Sequence, residues 1–376
     1  MKRYLMPCYC EILMHQLLNN IFIGTMSGTS YDGIDVCAMS VDPEIKLLHF
    51  ASYKYPKKLR KEIAKVIEHQ TLSLQKYGEL DHQIGMAFAS AVNNFILQRK
   101  IARSQICAVG LSGQTLWHHP QGNYPFSIQA GDAQVISKRC KIDVVSDFRN
   151  DHIKLGGEGA PLVPEFHQQI FASAKQSRLI LNIGGIANYS FLEKFKGFMG
   201  SDTGPGNALL DAYCQKYLDR PFDKNGLLAR KGLMHLSSLN KMLTHPFFKQ
   251  RSPKSTGKEV FNLSFIPQAL LKQPHENILA TLTELSAMTI GRSIQLKEKL
   301  VKEIIVCGGG INNLFLLERI SHYTSTPLQS SEIFGFQPQS IEAMAFAWLA
   351  SQRVKQLPLT VKKKKGLVGK VNKFKL

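Results

Sequence analysis

The chain has 376 residues, 44% of them hydrophobic and 20% charged, and carries a formal net charge of +19. That composition excludes a disordered chain, a collagen-like repeat and a disulfide-stapled miniprotein, and the length suits two domains or two lobes of one machine. The positive balance suits phosphates, nucleic acid or anionic membrane surfaces, and without the seven lysines of residues 362–376 it is still +12.

Lys2 and Arg3 precede a mildly apolar stretch, but Glu11 and His15 interrupt it and Asn19 and Asn20 close it. Residues 1–20 therefore read as an extension rather than a secretion signal. No window approaches 18 uninterrupted apolar residues, so no membrane span is expected. Ile21–Ile23 and Ile34–Val41 read as two short strands around a Gly/Ser/Thr turn, and Leu59–His69 and His82–Leu97 carry helical spacing. Ile106–Leu111 is a compact apolar run ending at Ser112-Gly113, a buried strand entering a loop. Arg178–Ile183 and Glu303–Val306 repeat that pattern before Gly184-Gly185 and Gly308-Gly309-Gly310. Ile341–Ala350 reads as a helix of small apolar residues carrying Glu342. Strand, glycine turn and helix in succession predict an α/β protein with ligands at strand ends. No repeat of 20–50 residues is visible.

The seven cysteines (Cys8, Cys10, Cys37, Cys107, Cys140, Cys214 and Cys307) are scattered and form no CxxC. A zinc or dithiol reading has no support, and a reducing cytoplasm is the expected location. HExxH, GxSxG and a GxGxxG after the first strand are absent, and Gly257-Lys258 fails the P-loop pattern because Glu259 follows. No protein metal site is predicted.

Four glycine-rich loops carry the candidate chemistry. Gly24-Thr-Met-Ser-Gly-Thr-Ser-Tyr-Asp-Gly33, continuing to Asp35, offers backbone N–H groups and three hydroxyls to an anion. Asp32 and Asp35 would repel phosphate unless a divalent cation mediates, which suggests Mg-nucleotide. The others are Asn182–Asn188, Gly200–Asn207 and Cys307–Asn313. Within the third, Asp202 precedes the rigid turn Thr203-Gly-Pro-Gly206, which fits a general base held over a substrate. An Asx-turn or helix N-cap would use the same residue.

These loops together resemble the anhydro-N-acetylmuramic acid kinase family of the hexokinase/actin-like superfamily, over about residues 21–350. The motifs are Ile23–Asp35, Gly113-Gln-Thr115, Gln129-Ala-Gly-Asp132, Asp147-Phe-Arg149, Leu155–Pro164, Asn182–Asn188, Asp202–Asn207, Lys254-Ser-Thr-Gly257, Gly308–Gly310 and Glu342-Ala343. The resemblance implies an α/β, two-lobed actin-like/ribonuclease H-like ATPase fold with an ATP cleft between the lobes. It places residues 21–170 plus 337–355 in the first lobe and 171–336 in the second, followed by a lysine-rich tail, 356–376. It implies conversion of 1,6-anhydro-N-acetylmuramic acid, ATP and water to N-acetylmuramic acid 6-phosphate and ADP during cell-wall recycling, by a cytoplasmic homodimer using Mg2+.

By the same resemblance, Asp202 matches the catalytic base. ATP is expected at Gly28, Thr29, Ser30, Tyr31, Asp32, Gly33, Ile34 and Asp35, at a second phosphate loop, Gly184 and Gly185, and at Gly308 and Gly309 near the adenosine. Gln114, Asp147, Arg149 and Glu342 are the sugar-side candidates, with Arg149 suited to the lactyl carboxylate. Ser112 stands where the family usually has His, Glu158 where Gln is common, and Ser201 where an aromatic precedes the base. The alternatives are another sugar or small-acid kinase of the superfamily, or a non-catalytic basic protein binding nucleic acid or membrane. No aromatics alternate with the basic residues as a single-strand binder would require, so no nucleic-acid partner is expected.

Overall fold

The structure is a computed structural model that describes residues 20–28, 31–194, 197–257, 259–361 and 364–375. The expected extension over residues 1–20 lies outside these except for Asn20. The chain divides into two compact units, one of residues 20–27, 31–159 and 343–375, the other of Gly28 and residues 160–342. The boundaries thus fall at Gly159/Ala160 and Glu342/Ala343, whereas the sequence reading put them at 170/171 and 336/337.

In the first unit, β1 (Ile21–Ser27), β2 (Gly33–Ser40) and β3 (Lys46–Lys54) form an antiparallel meander. β4 (Ile106–His119) and β6 (Val144–Ser146) follow in parallel beside β1, and β5 (Phe126–Ala130) folds back on β4. In the second unit, β7 (Ser177–Ile183), β8 (Ile186–Glu193) and β9 (Gly197–Pro205) repeat the meander. β10 (Val301–Cys307) and β11 (Leu328–Ser330) repeat the parallel pair. The orders β3-β2-β1-β4-β6 and β9-β8-β7-β10-β11 are the same ribonuclease H-like arrangement built twice. β12 (Leu359–Val361) and β13 (Lys364–Gly366) make a small separate hairpin.

The Leu74–Gln98 helix covers the first sheet with Ile84, Phe88, Val92 and Phe95, a stripe at helical spacing packed with Ile23, Ile34 and Val109. It starts eight residues before the apolar periodicity does, because Ser73 caps it by accepting the Lys76 N–H at 3.2 Å. The Ile341–Val354 helix lies against β1 and β4. A methyl group on Gly24 would come within 1.9 Å of the Ala343 carbonyl oxygen, and one on Gly110 within 2.1 Å of that of Phe346. In the second unit, Ile290 and Ile294 of the His275–Glu298 helix pack on Leu181, Ile183 and Tyr189. Each such buried side chain contributes about 1.5–3 kcal/mol.

Two local expectations are corrected. β4 does not end at Ser112-Gly113: Gly113 takes a φ of +67°, and the strand continues to His119 by pairing with β5. Nor is the lysine-rich C-terminus a solvated tail. β14 (Lys370–Asn372) joins β6 antiparallel, with Val371 opposite Val145. The Gly369 N–H donates to Asp151 Oδ2 at 3.0 Å and the Phe374 N–H to Asp143 Oδ1 at 2.8 Å. Val368 and Asn372 are buried and Val371 is half-buried, while Lys370 and Lys373 stay exposed.

Candidate active site

The β1–β2 hairpin carries the residues expected to bind phosphate. Gly28 follows β1 directly, whereas Thr29 and Ser30 lie outside the described residues. Tyr31 has a φ of +44°, and exposed Asp32 pairs with Arg60 at 2.9 Å. Gly33 abuts β3 and the Ile34 side chain is buried in the core, with both residues paired in register to Lys54 and Tyr53 of β3. Asp35 accepts a hydrogen bond from the Ser52 hydroxyl, and burial raises its carboxyl pKa to about 6.

A buried polar cluster braces this loop from behind. The Ser27 N–H donates to Ser112 Oγ at 3.1 Å, and the Tyr55 hydroxyl donates to Ser27 Oγ at 3.1 Å. Ser27 Oγ lies 2.7 Å from Gln114 Oε1 and 3.1 Å from the Gly33 carbonyl. Ser112 therefore serves the loop as an acceptor, and Gln114 is fully buried among its supports. Asp147, at the head of the Phe148–Lys154 helix, accepts from Asn150 Nδ2 at 2.7 Å. Arg149 donates to the Gly159 carbonyl at 3.0 Å. Burial, aided by the Arg149 charge, lowers the pKa of His118 to about 4.

Asp202 lies in β9, neither in an Asx-turn nor at a helix N-cap; Asn207 precedes the next helix, Ala208–Tyr217. The register passes from Ala187 opposite Gly204 to Asn188 opposite Asp202, so Thr203 is an extra, bulged residue. The Thr203 hydroxyl donates to the Ala187 carbonyl at 3.0 Å and fixes the bulge. Asp202 is 94% buried, and its carboxylate is gripped by the Lys254-Ser-Thr-Gly257 segment. Asp202 Oδ2 accepts the Thr256 N–H at 2.9 Å and the Ser255 hydroxyl at 3.2 Å; Oδ1 accepts no bond from a described residue. The Asp202 N–H donates to the Lys254 carbonyl at 2.9 Å, and the Lys254 N–H donates to Ser201 Oγ at 3.1 Å. Burial outweighs these donors and the Lys254 charge, and raises the carboxyl pKa to about 7. A deprotonatable carboxyl poised near neutrality suits a general base.

The Gly184-Gly185 turn meets the start of the Ala208–Tyr217 helix: the Gly206 and Ala208 N–H groups donate to the Gly185 carbonyl at 2.8 and 2.9 Å. Gly308 adopts a φ of +83° where a methyl group would lie 2.4 Å from Asn182 Oδ1, and Gly309 faces open space. Asn182 Nδ2 donates to Glu342 Oε1 at 3.2 Å. Glu342 thus stands with Asn182 and Gly308 in the second unit, while Gln114, Asp147 and Arg149 belong to the first. Sequence reasoning gave no role to Asn188, Lys254, Ser255 or Thr256. Each lay within a quoted motif, but its partner lay in another.

A family model described as anhydro-N-acetylmuramic acid kinase matches residues 20–372. The chain is 46% identical to the anhydro-N-acetylmuramic acid kinase of Gamma-proteobacterium EBAC31A08, over 95% of this chain and 99% of that one. It is 40% identical to the enzyme of that name from Vibrio vulnificus (strain YJ016), over 90% and 93%. Among solved structures, the activator of 2-hydroxyisocaproyl-CoA dehydratase from Clostridium difficile with bound ADPNP aligns with a TM-score of 0.47 at 12% identity, over 89% of this chain and 96% of that one. With a matching family model over nearly its whole described length and relatives of this identity and coverage, the chain belongs to the anhydro-N-acetylmuramic acid kinase family.

Proposed function

We propose that the chain phosphorylates 1,6-anhydro-N-acetylmuramic acid at O6 with ATP while water opens the anhydro ring, giving N-acetylmuramic acid 6-phosphate and ADP in cell-wall recycling. The observation that carries this reading is the buried Asp202 carboxyl, gripped at Oδ2, with a pKa raised to about 7. Asp202 Oδ1 takes a proton from water as the water oxygen bonds to C1. The C1–O6 bond breaks, its electron pair stays on O6, and O6 takes the γ-phosphoryl group as ADP leaves. Such a transfer needs alignment and charge neutralisation.

The backbones of Gly28–Asp35 and of Gly184-Gly185 bind the ATP phosphates, and Gly308-Gly309 lies along the adenosine. Gln114, Asp147, Arg149 and Glu342 serve the sugar. The raised pKa of Asp35, beside a phosphate-binding turn and with a neutral partner in Ser52, fits a carboxylate that a cation relieves; Asp35 would hold Mg2+. When bound, that ion neutralises charge on the β- and γ-phosphates. A cytoplasmic homodimer completes the reading. The five described cysteines are free, and no described helix is long and apolar enough to cross a membrane.

ADP release with Mg-ATP and the anhydro sugar tests the proposal. Sugar-dependent turnover in the wild type, lost by several orders of magnitude in Asp202→Asn, is the expected result. Turnover with N-acetylglucosamine or N-acetylmuramic acid but not with the anhydro sugar would overturn it. Sedimentation tests the dimer, and replacement of Mg2+ by EDTA tests the ion.

A further inference from the structure

Water that attacks a saturated carbon has to be held as well as deprotonated. It carries two hydrogens and two lone pairs, and only one lone pair points at the carbon. One hydrogen goes to the base. The other hydrogen and the second lone pair leave the molecule free to turn unless something fixes them.

Two side chains beside Asp202 have the chemistry to do this. Asn188 stands directly opposite Asp202 in the β8–β9 register, so the two side chains leave the same face of the sheet with Cβ atoms about 5 Å apart. The Asn188 residue is 91% buried, and its Oδ1 accepts no hydrogen bond from a described residue. Thr256, whose N–H holds Asp202 Oδ2, has a buried hydroxyl with no partner among the described residues. Buried polar atoms are overwhelmingly hydrogen-bonded, so two orphans flanking one carboxylate point to a polar ligand. The next asparagine in the row makes the contrast: Asn182, opposite Asn188 on β7, donates to Glu342 and accepts from the Cys307 thiol.

We infer that Asn188 and Thr256 hold the attacking water against Asp202, the Asn188 carbonyl oxygen accepting its second hydrogen and the Thr256 hydroxyl donating to one of its lone pairs. The remaining lone pair then faces C1. The proton still passes to Asp202, the O–C1 bond forms as C1–O6 breaks, and O6 takes the γ-phosphoryl group. An amide oxygen is far too weak a base to compete for the proton, so Asn188 is a positioning residue. The inference rests on the functional reading above.

The test compares Asn188→Leu, which keeps the size and removes the acceptor, with Asn188→Thr, which restores an oxygen. Expected for Asn188→Leu is a fall in kcat on the order of 10- to 100-fold. Its calorimetric Kd for the anhydro sugar, its KM for ATP and its melting temperature stay at wild-type values, and Asn188→Thr recovers part of the rate. Thr256→Val is expected to lower kcat about 10-fold with the same unchanged binding, and it decides the matter if Asn188→Leu does not fold. Rates within twofold of wild type, a loss matched by weaker sugar binding, or no recovery with threonine would each overturn the inference. Wild-type protein without sugar-dependent turnover would overturn the functional reading itself, so the two failures are told apart.

Discussion

The Thr256 N–H lies 2.9 Å from Asp202 Oδ2, so the proposed base is held by a segment more than fifty residues further along the chain. Both donors grip one oxygen, leaving the other for chemistry. The opposition between burial and those donors sets the pKa near 7.

The pH dependence follows with a definite sign. A base must be ionised, so kcat/KM should rise with pH through about 7 and level off above it. Stability runs the other way. The folded pKa is raised, so the folded state binds more protons than the unfolded one between about 4 and 7, and stability is lost as pH rises through that window. Asp202→Asn, though inactive, should melt higher than wild type at pH 8, with the advantage shrinking toward pH 4 in a calorimetric series.

Arg149 donates to the Gly159 carbonyl at 3.0 Å and contributes its charge to the low pKa of His118. Arg149→Ala should raise the sugar KM at least tenfold while sparing that for ATP, as loss of a charge-assisted contact worth about 1.5–3 kcal/mol would. The same variant should move the His118 titration upward from about 4 in an NMR pH series. An unchanged sugar KM would remove Arg149 from the sugar side.

Ser112→Ala takes away the acceptor of the Ser27 N–H and leaves a buried donor alone. A cost of about 1–3 kcal/mol in denaturant unfolding is expected. Because Ser27 borders the proposed phosphate loop, the KM for ATP should rise more than the KM for the sugar.

Removing residues 369–376 uncovers the edge of β6 and strips Asp151 and Asp143 of backbone donors. Loss of about 2 kcal/mol or more is expected, with concentration-dependent aggregation by light scattering. A truncated chain as stable as the full one would show that β14 contributes nothing.

Much of this fold was legible locally. The first hairpin announced itself by apolar runs flanking a glycine turn, and β7 and β10 by apolar runs ending in paired glycines. Asp202 was legible because its neighbours on the chain are small and rigid. What stayed hidden depends on contacts distant in sequence. The doubled sheet order leaves no sequence repeat, since strand order is set by pairing rather than by residue identity. β14 reads as part of a basic tail because Lys370 and Lys373 around it are exposed, and three residues with one buried side chain, Asn372, make no apolar pattern. Asn188 and Thr256 meet Asp202 through a strand register and a returning segment, neither of which has a local pattern. Ser73 was a local signal overlooked, a cap ahead of a polar first turn.

The first sheet begins with Ile21–Ser27, takes its covering helix from Ile341–Val354 and its last strand from Lys370–Asn372. The second unit lies wholly between. On a ribosome, then, the second unit is free to close as soon as it emerges, while β1 and β4 wait with their glycine-lined faces uncovered until the Ile341–Val354 helix has been made. Translation order makes the sheet whose first strand emerges earlier the later of the two to mature.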